Sequence, residues 1–171
     1  MDYIGGYMAK EIERKFLIRR PSMSRLMELN AHFVGYILQT YLKPQGDVER
    51  RVREYVTYNK YYHTYTEKTD ISEMVREENE KTINPFEYSQ FLKERDPDRI
   101  TIKKTRYVID YRGHCFEVDL YDFDTAYAVL EVELQGIDEQ LVLPSFEYIK
   151  EVTGDKNFSN NMLAKYKRFP I

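Results

Sequence analysis

Acidic and basic side chains recur two residues apart through much of the chain. Glu11, Glu13 and Lys15 form the first set. Then come Glu49, Arg51 and Arg53; Thr64, Thr66 and Lys68; Arg76, Glu78 and Glu80; Lys104 and Arg106; Glu117 and Asp119; and Glu131 and Glu133. In a strand, positions i and i+2 share a face. A single Glu-x-Glu is most simply a face turned to water. The habit repeated along so many segments means more. A solvated sheet mixes Thr, Ser, Gln, Lys and Glu and sets opposite charges across from each other, whereas here like charges sit two apart. Two carboxylates about 4 Å apart repel by about 4 kcal/mol at an effective dielectric near 20. Bases, raised pKa values or a bound cation must relieve that repulsion. Carboxylates from separate strands converging on one point suit a hard divalent ion. The bases need an anion in turn: Arg forks match phosphate oxygens, and Lys adds a point charge. Acids on some strands and bases on others around one interior would hold a metal and a polyphosphate together.

Strands must position these groups, and the composition supplies them. Aromatic residues make up 15% of the chain, and with Thr, Val and Ile they favour extended structure. Period-two patterning predicts strands over residues 11–18, 34–42, 48–58, 61–68, 74–83, 100–111, 114–121 and 129–134. Asn59-Lys60 and Arg112-Gly113 read as tight hairpin turns. Ser22 is placed to cap a short helix through residue 29. Asn84 is placed to cap another, with Pro85 at its first position, running to residue 95. Beyond Gly136 the chain reads as helical and irregular, with a last helix over 159–166. The class is α+β. Eight mostly antiparallel strands are enough to close a barrel whose interior holds side chains or one small ligand.

The 171 residues make one domain, with the motifs in 11–165 and residues 1–8 as an extension, Met8 being a second candidate start. Lys plus Arg is 26 against 29 for Asp plus Glu, a formal charge of −3. That excludes a generally basic nucleic-acid coat. The lone Cys115 excludes a disulfide framework and a Cys-rich zinc module. No apolar run is long enough to span a membrane, and the first residues lack the order of a signal peptide. The expected location is therefore the cytoplasm. His32, His63 and His114 have no metal-ligand spacing, and Cys115 reads as an idle thiol. Tyr55, Tyr58, Tyr61, Tyr62 and Tyr65 read as cross-strand packing of a hairpin. Of the adjacent pairs Arg50-Arg51 and Lys103-Lys104 only one member each can point inward, and the i+2 neighbours select Arg51 and Lys104.

Glu11-Ile12-Glu13-Arg14-Lys15 matches an ExExK signature. The doublets described above follow it in order, together with Gln39-Thr40-Tyr41-Leu42, Lys104-Thr105-Arg106-Tyr107 and a tail containing Thr153-Gly154-Asp155 and Ser159-Asn160. In this the chain resembles the CYTH family, the triphosphate tunnel metalloenzymes, over residues 11–165. The resemblance implies an eight-stranded antiparallel barrel forming a tunnel, helices packed outside, and Mg²⁺ or Mn²⁺ acting with a triphosphate substrate. Carried over position by position, it makes Glu11, Glu13, Glu131 and Glu133 metal ligands, with Asp119 and Glu117 close to a second metal. Lys15, Arg51, Arg53, Lys68, Lys104 and Arg106 would grip phosphates. Glu78, Glu80 and Glu117 would form an acidic wall. Lys15, Glu13 and Glu133 would serve the chemical step.

The expected reaction is metal-assisted hydrolysis, with inorganic tripolyphosphate as the first candidate substrate. Two alternatives stay open at this point. An adenylate cyclase on the same scaffold would turn ATP into cyclic AMP and pyrophosphate. A binding module would hold polyphosphate or nucleotide without turnover. The partner is a small molecule rather than nucleic acid or membrane, and the resemblance allows a homodimer.

Overall fold

The structure is a computed structural model that describes residues 7–72 and 75–171. Met74, the expected start of the fifth strand, lies outside them. Nine strands form one sheet: β1 (Tyr7–Arg19), β2 (His32–Tyr41), β3 (Glu49–Val56), β4 (Tyr61–Asp70), β5 (Val75–Ile83), β6 (Ile102–Tyr111), β7 (His114–Tyr121), β8 (Tyr127–Glu133) and β9 (Tyr148–Glu151). The helices are α1 (Met23–Glu28), α2 (Pro85–Phe91) and α3 (Asn160–Tyr166). The strand order is β5-β4-β3-β2-β6-β7-β8-β1-β9, and an added β5–β1 pairing closes the first eight strands into a barrel. All pairings are antiparallel.

The thirteen residues of β1 make that closure. Its residues 7–12 pair with β5 and its residues 13–19 with β8. Residues 7 and 8 of the expected extension are thus already strand. Further along β1, β9 pairs with residues 16–18. The reading of the chain beyond Gly136 as helical needs correction here. Residues 134–147 carry neither helix nor strand, and β9 follows them. Its four residues are too few for a period of two to show.

Local chemistry accounts for most of the boundaries. The Asn84 side chain accepts from Glu87 N at 2.9 Å while Glu87 Oε2 accepts from Asn84 N at 2.9 Å, a reciprocal cap on α2. The helix ends at Phe91, earlier than expected, and a 3-10 turn follows (Leu92–Glu94). There the chain is drawn into extended pairing: Lys43 N donates to Glu94 O, and Arg95 bridges Leu42. Arg112 and Gly113 both take positive φ, 50° and 84°, as a two-residue hairpin turn between twisted strands requires. Gly35 sits at a bulge in β2, where a Cβ would meet Val56 O at 2.9 Å.

The apolar core lies outside the barrel wall. Phe16 and Ile18 of β1, Phe116, Val118 and Leu120 of β7, and Ala128, Leu130 and Val132 of β8 pack together with Leu26 of α1. These positions alternate with the charged ones, so the same strands turn Glu13, Lys15, Glu117, Glu131 and Glu133 inward. A smaller cluster of Leu42, Val52, Tyr65 and Ile83 packs under α2. A third cluster fills one end of the barrel. Leu17, Ile102, Tyr121 and Val129 continue the inward phase and meet Leu163 and Ala164 of α3, with Phe158 and Phe169.

Candidate active site

The barrel encloses a cavity of about 640 Å³, within the range typical of small-molecule sites. Seven lysines and arginines from five strands face nine glutamates across it. Every site residue expected from the sequence lines this cavity except Asp119. Glu11, Glu13 and Lys15 come from β1, Arg51 and Arg53 from β3, Lys68 from β4, and Glu78 and Glu80 from β5. Lys104 and Arg106 come from β6, Glu117 from β7, and Glu131 and Glu133 from β8.

These groups are knit into three networks and a separate Arg53–Glu80 pair. In the first, Lys68 Nζ donates to Glu11 at 2.8 Å and also pairs with Glu78, which lies 3.6 Å from Arg51. Burial alone would raise the Glu78 carboxyl, but Arg51 and Lys68 outweigh it and hold its pKa at about 2. Glu11 shifts the other way: burial raises it, and Lys68 only partly offsets that. In the second network Lys15, 6% exposed, lies 2.8 Å from Glu131 and 3.6 Å from Glu13. Burial would discharge this lysine, yet Glu131 and Glu13 hold its pKa above the ordinary value. Glu131 is lowered in return, Lys15, Lys104 and Arg106 outweighing its burial.

Asp119 organises the third network. It is 1% exposed, accepts from Lys104 at 2.5 Å, and receives two bonds from Arg106 at 2.7 Å. The expectation of a metal beside Asp119 meets a carboxylate that lies behind the cavity wall with both oxygens engaged. Burial first, aided by Arg106, lowers the Lys104 pKa to about 8 despite Asp119. Arg106 also reaches Glu117 at 2.5 Å. Arg53 pairs with Glu80, which accepts from Thr66 at 2.7 Å as well.

Several polar groups have room for a visitor. Gln39 Oε1, Arg51 Nε and Arg53 Nε are buried without a hydrogen-bond partner. A buried donor left unpaired is costly, so an arriving anion gains by satisfying both guanidinium nitrogens. The acids show a complementary need. Glu13 and Glu133 stand directly opposite each other in the β1–β8 ladder, as do Glu117 and Glu131 in β7–β8. Like charges so placed repel, and among the described residues Glu133 pairs with no base. The donors are all hard carboxylate oxygens, the chemistry that suits Mg²⁺ or Mn²⁺. Among the described residues no three acids converge into a preformed ligand cage; bases hold them apart.

The cavity also has walls to which the sequence reading gave no role, although it set Glu49 on the face of Arg51 and Arg53. Gln39 and Tyr41 of β2 and Glu49 and Tyr55 of β3 line it, and their i+2 phase was there to be read. Ser159, Asn160 and Asn161 close it from α3, while His114 and Glu139, 2.9 Å apart, stand elsewhere on its rim. No periodicity points to these: Glu139 lies in a loop, Ser159, Asn160 and Asn161 stand at a helix start, and His114 opens β7 one place out of phase with Glu117 and Asp119.

The CYTH domain family model matches residues 9–165. An inorganic triphosphatase of Acetivibrio thermocellus is 31% identical over 166 residues, 95% of this chain and 99% of that protein. A crystal structure of an inorganic triphosphatase superposes with a TM-score of 0.58 at 29% identity, covering 94% of this chain and 97% of the other. A Hippeastrum protein described as an adenylyl cyclase with a dominant triphosphatase activity shares the fold at 16% identity and a TM-score of 0.52, over 73% of this chain and 80% of that one. With the ordered doublets all drawn from one barrel and the family match spanning nearly its whole length, the chain belongs to the CYTH family.

Proposed function

We propose that this protein is a divalent-metal-dependent triphosphatase whose substrate is inorganic tripolyphosphate. The observation that carries the reading is the barrel cavity lined by nine glutamates and seven lysines and arginines, most of them ion-paired with one another. Its two aromatic lining residues, Tyr41 and Tyr55, are themselves buried, which leaves little open ring face for a base to stack on. The similarity to inorganic triphosphatases supports the same substrate class.

Arg51, Arg53, Lys68, Lys104 and Arg106 bind the phosphates, exchanging carboxylate partners for phosphate oxygens as the substrate enters. Bidentate guanidinium contacts fix its orientation. They also stabilise the charge on the equatorial oxygens, the main need in phosphoryl transfer. Glu11, Glu13, Glu131 and Glu133 would hold a divalent cation, which supplies Lewis-acid polarisation of the phosphoryl oxygens and offsets a wall richer in acids than in bases. One carboxylate of the opposed pair Glu13 and Glu133 takes the proton from the attacking water as the water oxygen bonds the terminal phosphorus and the bond to the departing pyrophosphate breaks. Lys15 keeps its charge between Glu13 and Glu131 and orients that water against the terminal phosphate. The reducing cytoplasm suits the single free thiol of Cys115.

The test is phosphate release from tripolyphosphate with Mg²⁺ and with Mn²⁺, beside pyrophosphate, ATP and thiamine triphosphate. Tripolyphosphate is expected to be the best substrate, and Glu13→Gln and Glu133→Gln to lower kcat by about a hundredfold or more. Undiminished release by both variants would overturn the scheme. Cyclic AMP and pyrophosphate from ATP would replace it with a cyclase.

A further inference from the structure

One wall carboxylate has no evident place in that scheme. Glu49 opens β3 and lines the cavity, but its partner is an amide: Asn161 Nδ2 donates to Glu49 Oε2 at 2.8 Å. Among the described residues no lysine, arginine or histidine forms an ion pair with it, in contrast to Glu11, Glu13, Glu78, Glu80, Glu117 and Glu131. It also lacks the opposed glutamate that Glu133 has in Glu13. Its cross-strand neighbour is Lys68, whose ammonium is directed to Glu11 and Glu78.

The position is fixed from behind. Asn161 Oδ1 accepts from Arg99 Nε at 2.6 Å, and Arg99 pairs with Asp96. Asn160, next to it, accepts from the Tyr121 hydroxyl at 2.6 Å. Both asparagines begin α3, whose Leu163 and Ala164 are fully buried against Leu17, Ile102 and Val129. The barrel is therefore blind on this side: apolar side chains stop it, and a carboxylate with no ion pair among the described residues stands in front of them.

We infer that Glu49, held by Asn161, is a specificity-determining residue that limits the length of the phosphate chain the cavity accepts. The inference rests on the triphosphatase reading. A chain of three phosphates spends its charge on the bases of the wall. A fourth phosphate pushed toward α3 meets a carboxylate that no direct ion pair neutralises, in a site partly shielded from water, where like charges repel strongly. The blind end gives the limit by shape, and Glu49 enforces it by charge.

The experiment compares kcat/KM for tetrapolyphosphate and tripolyphosphate, each with saturating Mg²⁺. The wild type is expected to favour tripolyphosphate. Glu49→Gln keeps the shape and can still accept from Asn161, so it is expected to raise the tetrapolyphosphate-to-tripolyphosphate ratio by about tenfold. Glu49→Ala is expected to raise it as well, and Glu49→Asp to restore the wild-type ratio. A structural role for Glu49 alone would lower both activities and leave the ratio where it was. A ratio unchanged in both Glu49→Gln and Glu49→Ala, or a wild type that treats the two chains alike, overturns the inference. A wild type that releases no phosphate from tripolyphosphate overturns the triphosphatase reading instead.

Discussion

Lys104 shows how burial and charge compete within one side chain. It is 2% exposed and sits between Asp119 and Arg106. With its pKa lowered to about 8, it gives up its proton in a range where an ordinary lysine keeps it. The KM for tripolyphosphate is therefore expected to rise above about pH 8. In Lys104→Arg, where the charge persists, KM should stay level to about pH 9.5. A wild-type KM that is flat across that interval would contradict the assignment. Glu78 sets the opposite limit. Its folded pKa of about 2 lies below the ordinary 4.5, so its contribution to stability is complete above 4.5 and is lost as the pH falls toward 2. Asp119 and Glu131 are also lowered and act in the same direction; Glu11, which is raised, works against them. Urea midpoints should fall between about pH 5 and about pH 2, and less steeply in Glu78→Gln. At this scale the sequence was informative about phase: a charged residue two places from another shares its face. Depth was not legible. Asp119 has the same phase as Glu117, but two long cationic side chains fold over it, and no spacing rule reports that.

At the scale of elements, the two faces of each strand have separate duties. Leu130 and Glu131 are neighbours on β8, one in the outer core and the other in the cavity. Leu130→Ala should cost about 2–5 kcal/mol by leaving a hole in a packed cluster, measured as a lower urea midpoint. Any turnover lost should follow the fraction unfolded. Replacing Asn84 by Ala removes the reciprocal cap of α2 and should cost about 1 kcal/mol, read in the same assay. The eight barrel strands were legible because their side chains alternate and because turn residues such as Arg112-Gly113 punctuate them. The helix starts at Ser22 and Asn84 were legible from capping chemistry. β9 was not, since its pairing with β1 is decided by the edge that β1 leaves free, a fact of the whole sheet.

At the scale of the molecule, closure rests on β1 alone, because that strand joins β5 along one half and β8 along the other. That closure could be anticipated from the number of strands and from their inward charges. The plug could not: Leu163, Phe158 and Phe169 read as ordinary apolar residues of a tail, and only the fold sets them against Leu17 and Tyr121. Removing residues 156–171 would strip that cover, and the truncated chain is expected to melt earlier and to bind a hydrophobic dye. Equal melting temperatures would show that the plug contributes nothing to stability. The two-sided pairing of β1 also bears on how the chain is made. On the ribosome Glu13 emerges well before its ladder partner Glu133, which is made only after the other seven barrel strands. Until then β1 has an unpaired edge, a template for wrong pairing, and joining distant segments is slow. The first strand of the barrel to leave the exit tunnel is among the last to be secured, so chaperone demand during translation of the barrel should centre on β1.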